Sequence, residues 1–414
     1  MTDAQTTDVA VVGAGIIGLA AALRIALQGK QLILIDRQAP GRGCSYGNAG
    51  VIASDSIEPL ASPNTLRQIP RNLAGRESSL ALHPRYLLRA LPWLARFAWA
   101  ARRFDEGVLA LRSLQVHSLS AFTSLLEDAA CGNLLKPRGY LLVSEDGRNK
   151  AELIAKQRWL EARGVSSTWM GRDQLQQLAP GLNAAVYGGL YFPDTAHVVD
   201  PYRVCRSLAK AVEKAGGRIL RADVRHIECT ADKRFVLRTD GLPVDAGKLV
   251  IAAGAWSRTL AAQLGHRLPL DVERGYHITA SGLLPELRVP LASHERHTYM
   301  TPMSDGLRIT GFVEIGGTEL PPVEKHYNTL QRHLRELLPS AELSAVSTWM
   351  GCRPSMPDHL PVIGRSSRYE NAIFAFGHQH LGLTLSGITA DIVAALIAEQ
   401  PVPIDIRPFR CSRF

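Results

Sequence analysis

One short segment constrains this 414-residue chain more than any other: Val11-Val12-Gly13-Ala14-Gly15-Ile16-Ile17-Gly18. It follows an apolar run over 8–12 and leads into an Ala/Leu-rich stretch over 19–27. Strand, glycine turn and helix in that order open a Rossmann-like α/β unit. Gly13 permits the tight turn, Gly15 lets backbone approach a pyrophosphate, and Gly18 lets helix and strand pack closely. Ile16 and Ile17 lie within the glycine turn, before a helix whose unpaired N-terminal N–H groups face phosphate oxygens. A second apolar run, 31–35, ends in Asp36, followed by Arg37. An acidic residue about twenty positions beyond the glycines is where a ribose hydroxyl binds. The pattern predicts a dinucleotide without separating nicotinamide from flavin, because both carry an ADP half.

Two later segments bear on that choice. Residues 249–257 run from Leu-Val-Ile into Ala253, Gly254 and Trp256, and residues 374–378 run from Phe-Ala-Phe to His378, then to Gly382, Leu383 and Thr384. Each is an apolar strand that stops at small residues, as a backbone must if it lies against a large planar group. With these segments the chain resembles the D-amino acid oxidase superfamily of flavoproteins, and within it the D-amino acid dehydrogenase group. The resemblance covers nearly the whole length. It includes Ser45-Tyr46-Gly47-Asn48-Ala49-Gly50, Ala61-Ser62-Pro63, Arg274-Gly275-Tyr276 and the Gly-x-Arg-Pro run from Gly351 to Gly364, in the family's order.

The resemblance implies an α/β architecture of two domains: a Rossmann-like FAD domain of the glutathione reductase type and a mixed-sheet α+β substrate domain. The FAD domain is expected to be discontinuous, over 1–60, 190–267 and 346–414, with 61–189 and 268–345 forming the substrate domain. Ser45, Asn48, Ala49 and Gly50 would meet FAD, Val224 would lie near the adenine, and Gly382, Leu383 and Thr384 near the flavin pyrimidine. Local signals support the return to the first domain. Asp200 is a helix N-cap with Pro201 at the first helical position, and Gly216-Gly217 ends the helix. Strands are predicted over 218–220, 223–229 and 234–239, and in the second domain over 140–144, 274–279 and 307–312.

A flavin that oxidises an amino acid takes hydride from Cα, so the protein must hold the carboxylate and keep the amine neutral. Arginine suits the first task, because its planar fork makes two charge-assisted hydrogen bonds and stays charged when buried. Arg353 stands at the family's arginine position, and Pro354 restricts it to extended backbone. Tyr276 resembles a family tyrosine that faces the pocket and hydrogen-bonds the carboxylate. His378 and His380 would tune the flavin or touch substrate, with a supporting hydrogen bond as the alternative for each; His378 is taken as the site residue. The expected chemistry is oxidation of a D-amino or cyclic imino acid, D-proline and 4-hydroxy-D-proline included, with electrons passed to a quinone or another acceptor. The alternatives are a glycine/sarcosine-type oxidase using dioxygen, suggested by residues 195–201, and a flavin subunit of a larger complex.

Composition narrows the classes further. Six cysteines, at 44, 131, 205, 229, 352 and 411, form no CxxC pair, which argues against a disulfide framework and fits a cytoplasmic setting. The polar stretch 1–8 does not read as a signal peptide, and no eighteen-residue uncharged apolar run predicts a membrane span. The net charge of +9 suits an anionic cofactor and carboxylate substrates, and no stacking or helix-turn-helix motif supports nucleic acid binding. No metal is expected, since His294/His297 and His378/His380 lack further ligands. Cys352 lies beside the position at which the sarcosine oxidase branch bonds its flavin, which would fall nearer Gly351, so the FAD is expected to be non-covalent. Residues 84–103 mix Leu, Trp and Arg like an interfacial helix; the preferred reading packs the apolar side inward and solvates the arginines, the other rests it on the inner face of the membrane. The oligomeric state is left open.

Overall fold

The computed structural model describes residues 4–67 and 79–414; positions 1–3, and positions 68–78 in the expected substrate domain, lie outside the described residues. Strand β1 (Gln5–Val12), helix α1 (Ile16–Leu27) and strand β2 (Leu32–Asp36) form the predicted opening unit. β1 pairs in parallel with β2 on one side and with Val244–Ile251 on the other. Arg218–Arg221 extends the parallel sheet beyond β2, and Ala372–Phe376 pairs with the far end of Val244–Ile251. Such strands are buried on both faces and therefore read as continuous apolar runs rather than alternating ones. α1, Pro201–Lys214 and Ser386–Ile397 pack over one face; the other holds Phe235, Leu237, Leu260 and Phe374.

The helix Pro201–Lys214 starts as its sequence predicts, with the Asp200 carboxylate accepting from the Arg203 N–H at 2.8 Å. It stops where Gly216 takes φ +90° and the Gly217 N–H closes on the Val212 carbonyl.

The second sheet is mixed and larger. Its heart is Asp271–Leu283, paired antiparallel with Glu342–Ser355 on one side and Gly306–Ile315 on the other, with Thr298–Met303 beyond. Register assigns its faces. Tyr299, Thr310, His277 and Trp349 stand in one row across four strands, and Gly275, Gly351, Glu273 and Arg353 continue that face. The opposite face carries Tyr276, Ile278, Ile309 and Met300, covered by Leu330 and Leu334 of the helix Glu324–Leu337.

The strand Glu342–Ser355 belongs to this sheet along its whole length. The expected boundary at 346 falls inside it, and the crossing to the first sheet comes after Ser355. The boundary at 190 likewise falls within the strand Gly188–Phe192, which pairs with Tyr140–Ser144. Both offsets have one cause: a strand that ends at the junction is read by its motif rather than by its partner.

The segment 84–103 folds as a short turn, the helix Leu87–Ala100 and a second short turn. Ala90, Trp93 and Phe97 point inward, as the preferred reading expects, yet Leu88 is 80% and Trp99 63% exposed, so apolar groups also face outward. No helix among the described residues is long and apolar enough to cross a membrane.

Candidate active site

The carboxyl ends of β1, β2, Val244–Ile251 and Ala372–Phe376 open into one cavity, the position at which parallel α/β sheets take ligands. Gly13 has φ +109°, and a Cβ there would lie 2.4 Å from the Ala252 carbonyl oxygen; a Cβ on Gly18 would lie 1.8 Å from that of Gly13. Both glycines are demanded by the protein's own packing. Gly15 is different, since a Cβ there would meet only the Ser45 hydroxyl at 3.4 Å. Its missing side chain leaves space for something that is not protein.

Around that space stand the groups a dinucleotide needs. Ser45 Oγ accepts from the Ile16 N–H at 2.9 Å at the start of α1, beside Ile17. Asp36, at the end of β2, is oriented by the N–H groups of Ala14 (2.7 Å) and Gln38 (2.8 Å). Arg37 lies over the Trp256 ring at 4.2 Å, beside Val224, Ala253 and Gly254 on the cavity wall. Asn48, Gly382 and Leu383 form the other end.

Four expected cofactor residues sit behind the surface and support it. Gly18 is one. Gly50, next to Ala49, has φ +76° and sits against the Val198 carbonyl. Thr384 Oγ1 accepts from the Ala53 N–H at 3.1 Å, tying the 51–53 backbone to the loop after Gly382. The loop 45–50 is also held from the second sheet, by Arg308 on the Asn48 carbonyl (3.0 Å) and His277 on the Gly47 carbonyl (3.0 Å). Trp349 fills the space over Gly47 and Gly351, where either Cβ would strike its ring.

Arg353 projects from the face of the second sheet that looks toward this loop. Its guanidinium lies over Gly275, where a Cβ would be 2.2 Å away, and it donates to the Phe312 carbonyl at 3.0 Å. Among the described residues no carboxylate lies within ion-pair distance of it. Its charge nevertheless reaches Cys44, Glu273, Tyr299 and His380. Glu273, directly across the strand, is buried 3.3 Å from His359, also buried. Burial raises the Glu273 carboxyl, but His359, His380 and Arg353 outweigh it and hold it below the usual glutamate range.

Two expectations change on this geometry. Tyr276 does not reach the chamber. It is 1% exposed, its hydroxyl is bonded to the buried Glu314 carboxylate and accepts from the Val323 N–H, and its ring packs on His326 and Tyr327. The reason is strand alternation: Gly275 and His277 face Arg353, so Tyr276 faces away.

His378 lines the cavity wall but is committed to the protein through Nε2 and the Thr389 hydroxyl at 3.0 Å, and burial lowers its pKa to about 3. His380 takes the open position instead. A bridge between Ser355 and His378 and a bond from the Gln379 N–H to the Pro354 carbonyl bring this loop against Arg353. Gln379 takes φ +51°, and His380 emerges with an open ring that protein still surrounds, its pKa lowered to about 4 by burial and by His359 and Arg353. Its imidazole is a hydrogen-bonding group biased toward the neutral form.

Sequence reasoning also missed Tyr299, Glu273 and His359. Period-two alternation outward from Arg353 would have found Glu273 once its partner strand was known; Tyr299 lies three strands away, where only register shows it.

Known proteins agree with this architecture. The family of FAD dependent oxidoreductases called DAO matches residues 8–396. The D-amino-acid oxidase of Bradyrhizobium diazoefficiens is 31% identical over 98% of both chains, and the D-amino acid dehydrogenase of Sinorhizobium medicae 27% identical over 98% of this chain and 99% of its own. Among solved structures, glycine oxidase from Geobacillus kaustophilus superposes with a TM-score of 0.80 at 22% identity, covering 99% of each chain, and L-proline dehydrogenase from P. horikoshii with 0.78 at 17%, covering 100% of this chain and 98% of that one. The chain belongs to the DAO family of FAD-dependent oxidoreductases. Its cofactor is FAD.

Proposed function

We propose that this enzyme oxidises D-amino acids, cyclic imino acids such as D-proline and 4-hydroxy-D-proline among them, at the bond between Cα and nitrogen. The observation that carries the reading is Arg353, half-buried, held from behind by the Phe312 carbonyl, and with no carboxylate among the described residues within ion-pair distance. Such an arginine is a site for a carboxylate supplied from outside. FAD, when bound, supplies the acceptor for the hydride from Cα. The chain's own residues do the rest. Arg353 fixes the carboxylate and so limits how Cα can turn. His380, whose pKa is lowered to about 4, accepts a hydrogen bond from the substrate nitrogen and orients it, while the positive charge of Arg353 nearby favours the uncharged amine. Glu273 and His359 form a buried pair whose charges act on both groups.

The relatives carry both oxidase and dehydrogenase names, and a quinone or another carrier is the acceptor we favour over dioxygen. The experiment is anaerobic mixing with a panel of D-, L- and cyclic amino acids. Bleaching of the flavin band by D-amino or cyclic imino acids is expected, and no bleaching by any of them would overturn the reading. Peroxide formation in air at the rate of turnover would replace the acceptor by dioxygen.

A further inference from the structure

We propose that the chamber in front of Arg353 ends at Asp55, and that this carboxylate selects substrates whose side chain carries a hydrogen-bond donor, an ammonium or a hydroxyl. The inference rests on the amino acid reading above and adds to it the class of side chain.

Asp55 is 9% exposed. Its Oδ2 accepts from the Tyr140 hydroxyl at 2.6 Å, but its Oδ1 is buried with no hydrogen-bond partner. No cation among the described residues pairs with it. Burial pushes the Asp55 carboxyl up; the Tyr140 hydroxyl and, from a distance, Lys156 oppose it, and Lys156 is itself bonded to Glu58 at 3.1 Å. A buried carboxylate oxygen left without a donor is costly, and a purely structural aspartate would have both oxygens engaged.

Three observations lead from Asp55 toward the chamber. The backbone just before it, Val51 and Ala53, is bonded to Thr384 beside the flavin end of the cavity. Its partner Tyr140 is stacked on Phe192 with centroids 4.8 Å apart and lies 6.4 Å from the ring of Tyr299. Tyr299 stands on the same sheet face as Arg353, and its hydroxyl feels the charges of both Asp55 and Arg353. The phenol is 37% exposed, so part of it stands against open space. A carboxylate fixed at Arg353 therefore directs the substrate side chain past Tyr299 toward Asp55. Asp55 also borders an outer groove with Arg112, but that guanidinium is committed to the carbonyls of Arg163 and Gly164.

The test uses the FAD-loaded enzyme and matched substrate pairs: D-ornithine against D-norvaline for an ammonium, 4-hydroxy-D-proline against D-proline for a hydroxyl. In anaerobic titrations the donor-bearing member of at least one pair should half-reduce the flavin at roughly ten-fold lower concentration or less. Asp55→Asn, which keeps an acceptor but no charge, should abolish the preference in the ammonium pair and keep it in the hydroxyl pair; Asp55→Leu should abolish both. Tyr140→Phe, which frees the second oxygen, should change the same ratios if the aspartate variants do not fold. Equal half-reduction within both pairs for the unmodified enzyme overturns the proposal, and so does a preference that survives Asp55→Leu. A flavin that no amino acid reduces defeats the parent reading as well, so the two failures look different.

Discussion

At the residue scale the site is a set of groups whose roles follow from what each already touches. Arg353→Lys removes the planar fork and leaves the charge. It should raise the substrate concentration for half-reduction roughly 30- to 100-fold while the bound FAD spectrum persists; an unchanged titration removes Arg353 from the site. His380 and His378 should separate in opposite ways. His380→Asn should shift the pH profile of flavin reduction with little change in thermal stability. His378→Asn should instead lower stability by about 1 kcal/mol through the lost bond to Thr389. Equal effects of the two variants on reduction would contradict the assignment. Arg353 was legible in the sequence because its flanking glycine and prolines announce a special backbone. The choice between His378 and His380 was not, since it depends on Gln379 adopting φ +51°. Tyr276 misled for a related reason: a motif gives a position along a strand but not which of two faces it occupies.

At the element scale the opening strand–turn–helix was readable because each glycine has a separate duty, and the structure divides those duties further. Gly18→Ala forces a Cβ into the Gly13 carbonyl and should prevent stable folding, whereas Gly15→Ala meets only Ser45 and should fold yet lose FAD affinity at least ten-fold. Full FAD occupancy in the Gly15 variant, measured by absorbance after dialysis, would show that the pyrophosphate lies elsewhere. Gly387 is a comparable point that sequence reading passed over. A Cβ there would lie 2.4 Å from the Ala121 carbonyl carbon, so it sets the approach of Ser386–Ile397 to the helix Phe104–Asp128. Helix ends with caps, such as Asp200, were predicted nearly to the residue. The long strands of the second sheet were recognised only in part, because their pairing is with segments tens of residues away and leaves no local mark.

Across the whole molecule, the flavin-side loop and the second sheet are joined through buried histidines kept neutral. Burial lowers His277 to about 3, with the Arg308 charge adding to it, and lowers His378 to about 3. A histidine with depressed folded pKa contributes its full stability above the unfolded value near 6.5, and loses it as pH falls, because the unfolded chain takes up the proton first. Each of these two should cost at most ~1.4 kcal/mol per pH unit between about pH 6.5 and about pH 3. The midpoint of thermal unfolding should therefore fall steadily below pH 6; a flat midpoint down to pH 4.5 would contradict this. The α/β architecture with more than one sheet was visible from the order of motifs, and the expected borders at 190 and 346 fall inside strands of the second sheet. The central claim is that a carboxylate docked on Arg353 presents Cα to the flavin, and the most direct measurement compares an amino acid with the amine that lacks only its carboxylate. In anaerobic titrations, D-alanine should bleach the flavin and ethylamine should fail to do so at a hundred-fold higher concentration; equal bleaching by the two would contradict the account.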